Sequence, residues 1–212
     1  MLSLTYLLKN YFNPMAYIVE SDLENFILHD IDPSFSTWIT SVIAMVEDYI
    51  DKYCGTDFTN ATSEDRYFDG SGSRELYVGP LQSVSSLQIL DVNGNVEITL
   101  TATTDYHLYP LNETIKERIV LAQGGQYQAF PARIRAVKVT GVFGYDAAPE
   151  PVKLAAIQLA AKIINEGLRG GQVSAETLGS YHIDYREVEE ATESLGIKEI
   201  LNQYRVLSLG EI

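Results

Sequence analysis

The stretch VTGVFGYDAAPEPVKLAAIQLAAKIINEG (residues 139–167) changes character twice. It begins with alternating β-branched residues, breaks at Gly144-Tyr145, and passes two prolines into a run suited to a helix. Pro151 fits a first helical turn, where its missing N–H is no loss and its fixed φ is already helical. Asp146 and Glu150 put negative charge near the positive end of that helix. From Val152 to Asn165 the only polar residues are Lys153, Gln158, Lys162 and Asn165. A helix that is apolar on most faces is buried on most faces. It therefore sits at the centre of a large core, or other subunits help to cover it, and its alanines let neighbouring backbones come close.

The 212 residues suffice for one large domain or two small ones, and 46% hydrophobic with 21% charged is an ordinary globular composition. The formal charge of −14 is concentrated at the two ends of the sequence, and residues 63–145 are nearly balanced. Such a chain has no basic footprint for gripping nucleic acid. An acidic surface still suits a DNA path along which the duplex must slide and not stick. The single cysteine, Cys54, allows no internal disulfide and points to an intracellular origin. No stretch approaches the length of a membrane span, so no membrane partner is expected. The opening MLSLTYLLKNYFNP lacks a basic leader region and has a short apolar run, so it does not read as a signal peptide. Leu4, Leu7, Leu8 and Tyr11 have helical spacing and suggest a docking arm, and Met15 is an alternative start.

The pattern along the chain predicts an α+β fold, a small helix bundle with an inserted antiparallel β region. Its divisions are an arm (1–20), helices (21–62), the β region (63–145), helices again (146–207) and a tail (208–212). Ser21 and Glu24 have capping-box spacing and open a short helix through Leu28. Phe35, Trp38, Ile39, Val42, Val46, Tyr49, Ile50 and Tyr53 form the apolar stripe of a longer one, which Gly55 ends. Its outer face is read as Glu47, Asp48, Asp51 and Lys52. RYFDGSGSRELYV predicts two strands around a glycine-serine turn, and SVSSLQILDVNGNVEITL a hairpin turning at Asn93-Gly94. DYHLYPL, ERIVL and IRAVKVTGVF are further strands, giving four to six in all. In the last, Val137, Val139 and Phe143 share one face, with Lys138 and Thr140 on the other. A Gly170-Gly171 break, the SYHIDYRE segment and a helix over about Leu195–Arg205 complete the chain.

No constellation builds an active site, and neither a cofactor nor a metal is expected. GGQ occurs at 124–126 and 170–172, where glycine pairs serve as a turn and a helix cap. DVNGN has its glycine in the fourth place, not the sixth that a calcium loop needs. His29, His107 and His182 lie in separate segments without metal-ligand spacing. Asp105 and His107 are expected together on a solvated strand face. Cys54 reads as a buried structural thiol, although a Cys–His nucleophile is the enzymatic alternative. REVEEATE (186–193) reads as a solvated face. Fourteen tyrosines, including Tyr181, Tyr185 and Tyr204 near the C-terminus, fit a protein with contact surfaces.

In order, VIAMVEDYIDKYCGTDF, RYFDGSG with LYVGPLQSVSSLQI, GVFGYDAAPEPVKLAAIQLAAKII, and ETLGSYHIDYRE with YRVLSLGEI resemble the head–tail connector (adaptor, or head-completion) proteins of tailed bacteriophages. The resemblance spans residues 20–207. It departs at Tyr145, where many relatives carry tryptophan, and in the longer β insertion. It implies a non-enzymatic virion protein made in the host cytoplasm and placed in the neck. Such proteins form a ring, typically of twelve subunits, between the portal and the stopper or tail proteins, and DNA passes through without specific binding. Carried over, portal-contact candidates are Tyr204, Arg205, Val206 and Leu207. Subunit-packing candidates are Val152, Ala155, Ala156, Leu159, Ala160 and Ile163. Candidates for a phosphate-repelling lumen are Glu47, Asp48 and Asp51, or Glu187, Glu189, Glu190 and Glu193. A neck stopper, an enzyme built on Cys54 and an acidic DNA mimic are the competing readings.

Overall fold

The computed structural model describes residues 16–168 and 185–206. The fold is α+β and divides into two compact units, one spanning Asn60–Asp146 and the other made by the chain on either side of it. The docking-arm residues, the second GGQ, His182, Tyr181 and Leu207 lie outside the described residues.

The helical unit holds α1 (Glu20–Ile27), α2 (Ser36–Cys54), α3 (Glu150–Leu168), α4 (Tyr185–Ser194) and α5 (Ile197–Leu201). α1 is capped differently from the sequence expectation. Val19 is the N-cap, and its N–H donates to Asp22 Oδ2 at 2.8 Å, while Ser21 lies inside the helix. Glu24 Oε1 instead accepts from the Ile31 N–H at 3.0 Å and fastens the following loop. α2 follows its predicted stripe, burying Trp38, Ile39, Val42, Ile43, Val46 and Ile50. Gly55 ends it at φ 68°, the left-handed cap expected of a glycine there. The terminal helix is shorter than its pattern suggested. Gly196, at φ 67°, separates α4 from α5, and after Leu201 the chain tightens into a 3₁₀ turn at Asn202–Tyr204.

The other unit is a six-stranded antiparallel sheet of β1 (Thr62–Phe68), β2 (Glu75–Leu90), β3 (Val96–Leu100), β4 (Tyr106–Tyr109), β5 (Lys116–Leu121) and β6 (Val137–Phe143). The strand order is β1-β6-β2-β5-β4, with β3 beside β2. The two strands of RYFDGSGSRELYV are therefore not neighbours, because β6 lies between them. β6 wins that place through its apolar face. Val137, Val139 and Phe143 are essentially fully buried, as a central strand requires. β1, at the edge, carries Glu64, Asp65 and Arg66 and is mostly exposed, which discourages further pairing. The Asn93-Gly94 hairpin forms as expected, pairing Leu87 with Leu100 and Ile89 with Ile98. Asp91 Oδ1 closes its turn, accepting from the Asn93 and Asn95 N–H groups at 2.8 and 2.9 Å.

β2 is long enough to serve three partners because Gly79-Pro80 interrupts its register. Before that step it pairs with β5 alone, at Leu81 just after it with both β5 and β6, and further on with β6 and β3. A proline cannot donate to the ladder, so the irregularity falls where a bond would be missing anyway. Gly141 of β6 faces another irregularity of β2, and a Cβ there would collide with the Ser83 carbonyl.

Asp105 departs from its expected place on a solvated face. It is 1% exposed, whereas His107 is exposed. Its carboxylate accepts from the N–H groups of Thr101 (2.8 Å) and Gln126 (3.1 Å) and from Gln126 Nε2 (3.3 Å). The first GGQ thus ends in a structural staple, with its glutamine fixed on Asp105. The backbone donors of Thr101 and Gln126 hold the Asp105 carboxyl below the usual carboxylate range. A depressed folded pKa adds stability that is complete above the unfolded pKa and is lost as pH falls through the folded value. Asp105→Ala should cost about 2 kcal/mol at neutral pH, and Asp105→Asn should remove the acid-dependent part of the loss. Urea unfolding at neutral and acid pH checks both.

Candidate functional site

The subunit-packing candidates meet their own chain. Val152, Ala155, Ala156, Leu159 and Ala160 are fully buried and Ile163 is 5% exposed, on a helix that packs against α1, α2, α4 and α5. These side chains are thus covered by their own helical unit. The apolar run is core because several helices of the same unit surround it, and the alanines permit that close approach. What α3 leaves outside is different. Leu154 is 45% exposed, and with Tyr17, Ile157 and Ile200 it lines a groove of about 570 Å³ rimmed by Asp22, Glu150 and Lys153.

The acidic candidates separate by burial. Glu47 was expected on the outer face of α2 but is 3% exposed, so it is not available to a channel wall. Its Oε1 accepts from the N–H groups of Tyr17 (2.8 Å) and Ile18 (3.1 Å), holding the incoming chain against α2. Asp51 is half-buried, and burial first, then the carboxylates of Asp57 and Glu47, push its pKa up to about 7. Asp48 is exposed and paired with Lys52 at 2.7 Å. On α4, Glu189, Glu190 and Glu193 are exposed, while Val188, Ala191 and Thr192 are buried. Lys198 of α5 bridges Glu193 at 2.7 Å and Glu189 at 3.6 Å. The Glu187 side chain lies outside the described residues.

The C-terminal candidates are stitched to the end of α2. The Val206 N–H donates to the Cys54 carbonyl at 2.7 Å, the Tyr204 ring meets Phe58 edge-on at 6.1 Å, and Arg205 lies 5.9 Å from the Tyr53 ring centre. Tyr53 also donates from its hydroxyl to Asn202 at 2.7 Å. Cys54 itself is fully buried, with its thiol toward the Leu201 carbonyl. Burial, then Asp51, push that thiol up to about 12. A thiol so held is a poor nucleophile at neutral pH, which counts against the Cys54 enzyme reading. Among the described residues no group of three or more metal-ligating side chains is assembled, and no helix is long and apolar enough to cross a membrane.

The position of Glu47 was legible in principle. It lies four residues after Ile43 and three before Ile50, both buried, so periodicity alone puts it on the core face. Reading the charge as a surface marker hid it.

No protein-family model matches the sequence, and no curated protein matches it. Among solved structures, the chain is similar to one in the neck of an empty gene transfer agent particle computed with C6 symmetry. That match has 16% identity, a TM-score of 0.40, and covers 85% of this chain and 81% of the other. It is also similar to a chain in the virion of a native gene transfer agent particle, at 18% identity and a TM-score of 0.39, covering 85% and 80%.

If α3 is covered within one chain, Ala156→Leu should lower stability by about 1–3 kcal/mol through overpacking. The loss should be independent of protein concentration, which thermal unfolding over a range of concentrations checks. Cys54 in the native protein should react with a thiol reagent at least about a hundredfold more slowly than in urea, since little thiolate exists at neutral pH.

Proposed function

We propose that this chain is a non-enzymatic neck component of a tailed-phage-like virion, a head–tail connector that assembles as a ring between portal and tail. The reading rests on the ordered resemblance of four segments to that family. One observation carries it further: the first and last of those segments meet. The helix ending at Cys54-Gly55 is bonded to the Tyr204–Val206 segment through the Val206 N–H, so the two motifs form one structural element. The surface beside that junction, with Arg205 exposed over Tyr53, is the proposed portal-facing patch. Subunits meet through surfaces other than the buried face of α3, and the Leu154–Ile157 groove is the apolar part of that helix left to them.

Asp48 and the α4 glutamates form the acidic surface proposed to face DNA. A wall of carboxylates repels phosphates within the ~8 Å Debye length at physiological salt, so DNA passes without adhering. With Glu47 buried, the α4 set supplies most of this charge.

Purified protein mixed with portal rings and imaged by electron microscopy tests the proposal. A second ring capping the portal is expected. Bare portals with free protein would overturn the adaptor role and leave a stopper or tail-side position. Reversing Glu189, Glu190 and Glu193 to lysine together should slow DNA release from assembled particles. Unchanged release would remove α4 from the lumen.

A further inference from the structure

The end of α2 brings several acidic groups together around a single backbone anchor. Glu47 and Asp51 are one turn apart on the same face. Glu47 holds the Tyr17 and Ile18 N–H groups with one oxygen, and the Tyr17 hydroxyl donates back to the Glu47 carbonyl at 3.3 Å. Asp51 Oδ1 is buried without a hydrogen-bond partner. A buried, unpartnered carboxylate oxygen favours the protonated acid.

The groups facing Asp51 come from each neighbouring segment. α2 contributes Glu47, Asp48 and the Cys54 thiol, the incoming chain the Tyr17 phenol, and the loop after α2 Asp57 and the Phe58 N–H. Among the groups just named, the Phe58 N–H favours the ionised form of Asp51, and the neighbouring carboxylates oppose it. Arg205 lies close enough to favour the ionised form of Cys54.

We propose that Asp51 is a proton-operated latch. Protonated, it adds no charge beside the Glu47 carboxylate, and the Tyr17–Ile18 backbone is held firmly against α2. Ionised, it adds a second negative charge one turn from Glu47, and the anchor loosens. The sign follows from the raised carboxyl of Asp51. The folded state holds its proton up to about pH 7, so stability drawn from it is fullest at acid pH and declines as pH rises towards neutrality. The inference does not depend on the connector reading.

Amide exchange followed by NMR, corrected for the intrinsic pH dependence of exchange, reads the latch directly. Protection at Tyr17 and Ile18 should fall about tenfold between about pH 6 and pH 8.5, the scale of a one-unit proton linkage. Leu159 in the core of α3 should hold its protection. Asp51→Asn should make Tyr17 and Ile18 insensitive to pH. Equal pH dependence in wild type and variant would overturn the proposal, as would a parallel loss at Leu159. A carbon-detected titration of Asp51 in the wild-type protein decides the case if the variant folds poorly. Proton uptake near neutrality is expected, and an ordinary carboxylate value would sink the latch.

Discussion

The helical unit depends on the burial of α2 and on satisfying the polar groups that burial strands. Both flanking segments of the unit bond to the last turns of this helix. The incoming chain is held by the Glu47 carboxylate, and the outgoing chain by the Cys54 carbonyl. A helix end leaves carbonyls without intrahelical partners, and an end buried under other segments must find them elsewhere. Gly55 and Val206 supply the donors here. The aromatic contacts of Phe58 with Tyr17 and Tyr204 enclose the same region.

That arrangement changes what an acidic surface means in this protein. Of the acidic residues on the second half of α2, Asp48 is solvated and paired, Glu47 is structural, and Asp51 lies between the two states. Charge counted along a sequence therefore overstates the charge that the surface presents to solvent. Glu189, Glu190 and Glu193 of α4 reach solvent as Asp48 does, because Val188, Ala191 and Thr192 turn the opposite side of that helix inward.

The β unit follows the same logic with different means. A long strand with a glycine-proline interruption serves successive partners, and a buried aspartate fastens two loops by accepting backbone N–H groups. Both devices satisfy backbone donors in places where regular ladders stop. Exposed apolar residues such as Val92 and Ile134 lie on loops of this unit, at 85% and 80% exposure.

The sequence by itself determined the element types. Alternation in IRAVKVTGVF, the stripe of α2, the Asn-Gly turn and the proline-led α3 are local patterns, and local backbone preference reads them out directly. It also carried the order of motifs on which the connector reading stands. Tertiary structure decided the rest. Strand order placed β6 between β1 and β2, because pairing joins residues far apart in sequence and keeps an apolar strand away from the sheet edge. Burial turned Glu47 and Asp105 from expected surface charges into internal fasteners, since only three-dimensional packing brings the N–H groups that make a buried carboxylate tolerable. The same packing showed that the apolar α3 is covered by its own chain, a distinction that apolar periodicity cannot make because a core and a subunit interface ask for the same side chains.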